Sequence, residues 1–133
     1  MLYEYRLETP KEGFIDITDQ VRDACRQSGV FDGMMTVYCP HTTAGVTINE
    51  NTDPDVRNDL MLALNKTYPD RAEFRHAEGN SAAHLKASVI GSSVTIMIDD
   101  GEPVLGPWQA VYFTEFDGPR SRRFTVKVMG NRG

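Results

Sequence analysis

Three histidines are the residues of this chain whose types and spacing could do chemistry together. His41, His76 and His84 are the only histidines among 133 residues, and they lie in two polar segments, CPHTTAGVTINEN and RHAEGNSAAHLKAS. Three neutral imidazoles that converge leave a tetrahedral metal ion one open position for water or substrate. Such a set favours a zinc-like divalent ion, whereas diphosphate substrates usually employ Mg²⁺. The alternative is that each histidine is an isolated, hydrogen-bonded residue.

Convergence requires a bend between His76 and His84. Eight residues apart on one helix, their side chains would lie about 80° apart around the axis and two turns apart along it, too far to share an ion. Gly79, Asn80 and Ser81 are turn formers, and Ser81 can cap a short helix over residues 82–88. We therefore predict a broken connection that allows His76 and His84 to approach His41.

A second polar group ends the strand predicted before residue 51. Alternation along that strand places one of Asn49 and Glu50 toward the interior. A carboxylate there can act as a general base or hold a ligating imidazole. Asn49 and Glu50 are therefore candidate catalytic residues, whereas Asp53 and Asp55 are typical of the start of a helix.

The segment GPWQAVYFTEFDGPRSRR contributes a third group. Arg120 follows a Gly-Pro turn, which can hold its guanidinium in place for bidentate capture of a phosphate or carboxylate. Trp108 can stack on a ring or belong to the core, and Gln109 is a further candidate for substrate binding. For Arg122 and Arg123 the pattern favours a solvated or intersubunit face.

The segments that must position these side chains are short strands and two or three helices. Thr18 can cap a helix that Gly29 ends, with Val21, Ala24, Cys25 and Ser28 on one face, and Asp53-Pro54 begins a second helix. That second helix carries an apolar stripe of Val56, Leu60, Ala63, Leu64 and Thr67. Strands are predicted near residues 3–7, 13–17, 33–39, 44–50, 93–99, 108–116 and 123–129. The pattern predicts a single α+β domain over 1–133, in two layers or a sandwich, with mainly antiparallel pairing.

Composition narrows the class of protein. The net charge of −5 argues against a basic face for nucleic acid. Two cysteines fit a reducing compartment, and we expect a cytoplasmic protein. No apolar run reaches the roughly 20 residues of a spanning helix, and the first residues lack the features of a signal peptide, so no membrane partner is expected.

Three ordered blocks resemble the signatures of the YjbQ family, known as secondary thiamine-phosphate synthase enzymes: HTTAGVTINEN, RHAEGNSAAHLKAS and VLGPWQAVYFTEFDGPRSRR. The resemblance runs from EGFIDIT to the terminal strand. It implies a YjbQ-like α+β fold, a homotrimer, and a site near the subunit boundary that in relatives can hold a metal ion. Its ligands here would be His41, His76 and His84, with Asn49, Glu50, Asn80, Gln109 and Arg120 nearby. Pro107 and Glu102 depart from the family pattern.

The reaction that the resemblance implies joins a pyrimidine diphosphate to a thiazole phosphate, with pyrophosphate leaving. A divalent ion and Arg120 would neutralise the developing charge, and Trp108 or Tyr112 could stack on a ring. Two alternatives stay open. One is a metal-dependent hydrolase of a phosphorylated metabolite, with Glu50 as base, and the other is a non-enzymatic trimer that binds a metabolite anion.

Overall fold

The chain folds into eight strands and three helices in the computed structural model, which describes all of residues Met1–Gly133. In chain order the elements are β1 Leu2–Glu8, β2 Gly13–Asp16, α1 Thr18–Ser28, β3 Asp32–Tyr38, β4 Ala44–Glu50, α2 Pro54–Thr67, α3 Ser81–Ile90, β5 Ser93–Asp99, β6 Glu102–Pro103, β7 Gln109–Glu115 and β8 Ser121–Asn131.

Two antiparallel sheets form a sandwich. The first has five strands in the order β1-β8-β3-β5-β6, and the second has three in the order β2-β7-β4. All six strand pairings are antiparallel. Helices α2 and α3 contribute to a small apolar cluster with Phe116, which follows β7. The predicted α+β fold of mainly antiparallel strands is confirmed.

The main core lies between the sheets, where alternate side chains of each strand point inward. Val37, Phe124 and Val126 from the five-stranded sheet meet Val46 and Phe113 from the three-stranded sheet, and all five are fully buried. Helix α1 adds the face that its periodicity predicts, Val21, Ala24, Cys25 and Ser28. The connections between these elements line a polar cavity at one end of the sandwich.

Helix boundaries differ from the sequence prediction at two caps. Thr18 is the first residue of α1, not its cap; its hydroxyl donates to Asp16 Oδ1 and accepts from the Val111 N–H. Asn80, not Ser81, precedes α3. At Thr18 the bonds to Asp16 and Val111 take the place of a capping bond. The Asp53 cap of α2 is confirmed, since its carboxylate accepts from the Asp55 N–H.

Helix α2 lies only loosely on the sheet. Of its 14 residues only Met61 is buried. The predicted stripe of α2 is therefore wrong in part, because Ala63 and Thr67 are exposed and the other members are half-buried. The helix instead turns Arg57 over the ring of Tyr112. A cleft remains open beside it.

Candidate functional site

A polar cavity of about 310 Å³ opens where the β3–β4 connection, the start of α3 and the turn before β8 meet. Apart from Pro40, all its lining residues are polar or charged, and they include His41, Thr43, Asn80, His84, Arg120 and Arg122. An adjoining cavity of about 260 Å³ also contacts His41 and His84. We call the first space the histidine cavity. The cavity lies between the two polar segments that carry the histidines, one with His41 and the other with His84.

The bend between His76 and His84 is present. The Gly79 N–H donates to the His76 carbonyl, and Gly79 has a φ of 72°, a left-handed conformation that glycine adopts without steric cost. Helix α3 then begins at Ser81. The bend brings the His76 and His84 rings to 5.4 Å between centroids, at 85° to each other. His76 Nε2 also lies 4.0 Å from Glu78 Oε1.

His41 is held by the neighbouring strand. Its Nε2 lies 3.0 Å from the Arg123 backbone nitrogen, whose N–H donates to it. Burial lowers the pKa of His41 below its ordinary value of 6.5, and the Arg122 guanidinium lowers it further. Nε2 also lies 3.1 Å from the Arg123 carbonyl oxygen, which would accept from it in the other tautomer.

The residues of one chain do not form a ready-made metal site. No group of three or more His, Cys, Asp or Glu side chains is close enough to hold an ion. In addition, His41 Nε2 lies within hydrogen-bond distance of both the Arg123 N–H and the Arg123 carbonyl oxygen, so this nitrogen is already engaged within the chain. The assignment of His41, His76 and His84 as ligands of a zinc-like ion or Mg²⁺ therefore stays a prediction.

A buried ion pair forms the floor of the histidine cavity. The side chains of Arg122 and Glu115 are 6% and 0% exposed, and the Arg122 Nε and Nη2 atoms donate to the two carboxylate oxygens, Nε at 2.8 Å. Nη2 also donates to Thr43 Oγ1 at 2.8 Å. Nη1 makes no hydrogen bond within the chain. Arg122 is one of the residues that line the cavity.

The same carboxylate fixes the turn that carries Arg120. Glu115 accepts from the Thr9 hydroxyl at 2.6 Å and from the Asp117 N–H at 2.9 Å, and the Arg120 N–H donates to Thr9 Oγ1 at 3.1 Å. Arg120 Nε and Nη2 donate to Asp117, whose carboxylate also accepts from Asn80 Nδ2. One edge of Arg122 is thus held by the Glu115 carboxylate, and one edge of Arg120 by the carbonyl and carboxylate of Asp117. Each arginine keeps Nη1 free of bonds within the chain.

At the two carboxylates of this network, hydrogen bonds lower the pKa by more than burial raises it. Burial by itself raises the pKa of Glu115, but donors from Arg122, Thr9 and the Asp117 backbone lower it below the ordinary 4.5. The pKa of Asp117 is lowered from 3.8 in the same way, because Asn80 and Arg120 outweigh its burial. Both groups are therefore ionised at neutral pH.

Acid is expected to destabilise the fold through these carboxylates. A carboxyl whose pKa is lower in the folded state contributes stability above the unfolded pKa and loses it as pH falls through the folded pKa. The free energy of unfolding should therefore decline below about pH 4.5. Urea denaturation between about pH 7 and pH 3 measures it. The Glu115→Gln variant should be less stable at neutral pH and show a shallower decline, and parallel pH curves for the two proteins would contradict the assignment.

The remaining sequence candidates lie at the other end of the three-stranded sheet. Glu50 pairs with Gln109, whereas Ala44 pairs with Glu115 beside the histidine cavity. Six residues of strand separate these pairs, which is about 20 Å. Asn49 lies next to Glu50 and accepts its backbone N–H. Within one chain the structure does not bring these residues to the histidines.

Trp108 shares that distant end. It is 64% exposed and precedes the first residue of β7, so it is neither core nor part of the histidine cavity. Its carbonyl accepts the Asn51 N–H. The Gln109 side chain accepts the Gly106 N–H. Of the four residues predicted to bind substrate, the structure places Asn80 and Arg120 on the cavity wall and Trp108 and Gln109 away from it.

Sequence reasoning missed Arg122, which the structure buries. The signal was the alternation of β8, because Arg122, Phe124, Val126 and Val128 share the inward face. An arginine on an inward face requires a buried counter-charge. Glu115 occupies the corresponding inward position at the end of β7.

Known proteins resemble this chain over nearly its whole length. A family model described as UPF0047 protein YjbQ-like matches residues 3–131. A UPF0047 protein of Methanocaldococcus jannaschii is 50% identical over 99% of this chain and 96% of its own. UPF0047 protein YugU of Bacillus subtilis is 46% identical over 98% of this chain and 100% of its own.

Solved structures show the same fold. An uncharacterised conserved protein of the yjbq/upf0047 family from Clostridium acetobutylicum superposes with a TM-score of 0.93 at 55% identity, over 96% of this chain and 99% of that one. A YbjQ-like protein of unknown function from Sulfolobus solfataricus P2 gives 0.93 at 27% identity, over 98% and 97%. No helix here combines the length and apolarity needed to cross a membrane.

Proposed function

Because this chain belongs to the UPF0047 protein YjbQ-like family, we propose that it is a small enzyme that binds a phosphorylated metabolite in the histidine cavity. The proposed reaction is the formation of thiamine phosphate from a pyrimidine diphosphate and a thiazole phosphate. The observation that carries the proposal is the convergence of two anchored guanidinium groups and two histidines on one polar space of about 310 Å³.

The donors around this space suit phosphate oxygens. Arg120 and Arg122 each keep Nη1 free, and a guanidinium held in place binds phosphate with little loss of entropy. The His41 ring lines the same space. Helix α3 begins beside the cavity, between Asn80 and His84. The N-terminus of a helix adds partial positive charge and unpaired N–H groups.

These groups are suited to stabilise pyrophosphate as it leaves the pyrimidine substrate. In the proposed reaction a C–N bond forms between the thiazole nitrogen and the pyrimidine methylene carbon while the C–O bond to diphosphate breaks. The electron pair of that C–O bond leaves with pyrophosphate. Arg120, Arg122 and His41 would hold the diphosphate and stabilise the charge that develops on it.

The hydrolase alternative has less geometric support. It needs Glu50 as general base, and Glu50 lies about 20 Å from the cavity along β4. A general base must lie within hydrogen-bond reach of the proton it removes. The non-enzymatic alternative uses the same cavity and differs only in the absence of turnover.

The homotrimer remains part of the proposal. The outer face of the five-stranded sheet carries a row of methionines, since Met34 pairs with both Met97 and Met129. The three side chains are 49%, 62% and 59% exposed. An exposed apolar patch of this kind is typical of a subunit interface, and it supports association of the chain with further copies.

Two measurements test the proposed function. Calorimetric titration with pyrophosphate should show saturable binding that falls about 10- to 100-fold in Arg120→Met, the range for one lost charged hydrogen bond. His84→Ala should weaken binding in the same direction. Chromatographic detection of thiamine phosphate from the two substrates, with and without Zn²⁺ or Mg²⁺, measures turnover.

Arg6→Met is the matched control. Arg6 lies on β1, its side chain is 75% exposed, and its removal changes the net charge by the same amount. Unchanged pyrophosphate affinity in both cavity variants would refute the site. Binding without thiamine phosphate formation under any metal condition would instead assign the chain to the non-enzymatic alternative.

A further inference from the structure

A second cavity, of about 530 Å³, lies between helix α2 and strand β2. It shares no lining residue with the histidine cavity. Phe14, Met61 and Leu62 form its apolar lining. We call it the α2–β2 cavity. It exists because α2 buries only Met61 and therefore stands away from the sheet.

Arg57 lies at one wall of this cavity without an acidic partner. Its guanidinium carbon is 5.7 Å from the centroid of the Tyr112 ring. The ring is fixed in turn, because the Tyr112 hydroxyl donates to the Glu50 carbonyl at 3.0 Å. None of the five ion pairs of the chain includes Arg57, and its N–H groups make no hydrogen bond to protein. Its planar cation is therefore oriented and available.

Lys86 brings a second cation close to the same cavity. The residue is 7% exposed, and its Nζ donates to Asn65 Oδ1 at 2.5 Å while lying 5.6 Å from the Phe116 ring centroid. No carboxylate lies within 4.0 Å of Nζ, since no ion pair includes Lys86. A buried ammonium ion without a counter-charge is costly.

One amide group separates that ammonium from the cavity. Asn65 lines the cavity and its Nδ2 donates to the Glu12 carboxylate, with N–O distances of 3.1 and 3.3 Å. Glu12 is the one carboxylate on the lining and Arg57 the one cation, and Lys86 adds a second cation behind the Asn65 amide.

We propose that the α2–β2 cavity binds a small organic anion that has a flat apolar or aromatic body. The anionic group pairs with Arg57 and offsets the charge of Lys86, and the body packs on Phe14 and Met61. Pockets of this volume that combine an apolar lining with a few oriented polar groups are typical of small-molecule sites. The proposal is independent of the function assigned to the histidine cavity.

Methionine methyl signals test the proposal directly. The chain has six methionines, and Met61 is the one that lines this cavity. In protein labelled with ¹³C at the methionine methyls, phenyl phosphate and benzoate should shift the Met61 signal saturably and leave those of Met34 and Met97 unchanged. Benzyl alcohol lacks the charge and inorganic phosphate lacks the body, so both should bind at least about tenfold more weakly.

Variants separate the anion site from a merely apolar groove. Arg57→Met should weaken phenyl phosphate and benzoate about tenfold, and Asn65→Leu should weaken them in the same direction. Arg6→Met, with the same change of charge on the other sheet, should leave both affinities unchanged. Arg57 and Asn65 are only half-buried, so their replacement preserves the core.

Four results would overturn the proposal. They are the absence of a saturable Met61 shift with either anion, equal affinity for benzyl alcohol, and unchanged affinity in Arg57→Met. The fourth is a Met61 shift that depends on protein concentration without any probe, because a second copy of the chain would then occupy the cavity.

Discussion

The Glu115→Ala variant is expected to lose about 3–5 kcal/mol of its free energy of unfolding, because it leaves the Arg122 guanidinium buried without a counter-charge. The Arg122 side chain is 6% exposed, so water cannot replace the missing carboxylate without opening the structure. The Thr9 hydroxyl and the Asp117 N–H lose their acceptor as well. Urea denaturation followed by circular dichroism measures the change.

A double-mutant cycle shows whether the loss of stability comes from the interaction between Glu115 and Arg122. Glu115→Leu combined with Arg122→Met replaces both charges by apolar groups, and such replacements of buried pairs are often neutral or stabilising. We therefore expect the double variant to be more stable than either Glu115→Leu or Arg122→Met alone. Additive losses in the double variant would show that the two side chains act independently.

The pair also has a functional consequence. Glu115 holds Asp117 and Thr9, and these residues hold the turn that carries Arg120. The double variant should therefore fold yet bind pyrophosphate more weakly than the wild type, because both the Arg122 donor and the fixed position of Arg120 are lost. In the double variant, stability is thus expected to be higher than in either single variant, while pyrophosphate affinity is lower than in the wild type.

The Gly118→Ala variant is expected to have the second largest effect. A Cβ at this position would lie 1.9 Å from the backbone oxygen of Pro10 and 3.0 Å from the Glu115 side chain. The first clash is with backbone, so no rotamer change relieves it. Overpacking of this kind costs about 1–3 kcal/mol or more, and the turn must shift with Arg120. We expect a lower melting temperature and weaker pyrophosphate binding, measured by calorimetry.

Gly106→Ala is the control for that variant. The nearest atom to a Cβ there is Gln109 Oε1 at 3.3 Å, the far end of a flexible side chain. Its melting temperature should change by far less than that of Gly118→Ala, and its pyrophosphate affinity should stay the same. Equal losses in the two variants would mean that the contact with Pro10 does not constrain the turn.

Local features of the fold were accessible from the sequence because each is encoded within a short window. The four buried residues of α1 recur at helical spacing, and Gly29 ends that helix in the left-handed conformation that glycine tolerates. Asp53 before Pro54 marks the start of α2. The β-favouring residues of β3 and the turn residues that bound β5 and β8 likewise identified strands. The mixture of these elements was enough to predict an α+β domain.

The site was predictable only in part. The bend at Gly79 follows from turn-forming residues, and it brings His76 to His84. The position of His41 depends on its bond to the Arg123 backbone, across 82 residues of sequence. The burial of Arg122 depends on the Glu115 carboxylate, which lies on a strand of the other sheet.

By itself the sequence determined the elements, the family resemblance and the residues capable of chemistry, because propensity, periodicity and motif order are properties of neighbouring residues. Tertiary structure alone decided which of those residues meet. The register of β4 on β7 places Glu50 and Gln109 about 20 Å from the end of the sheet where His41, His84 and Arg120 gather. Register is set by packing between strands distant in sequence, and no short window of residues contains it.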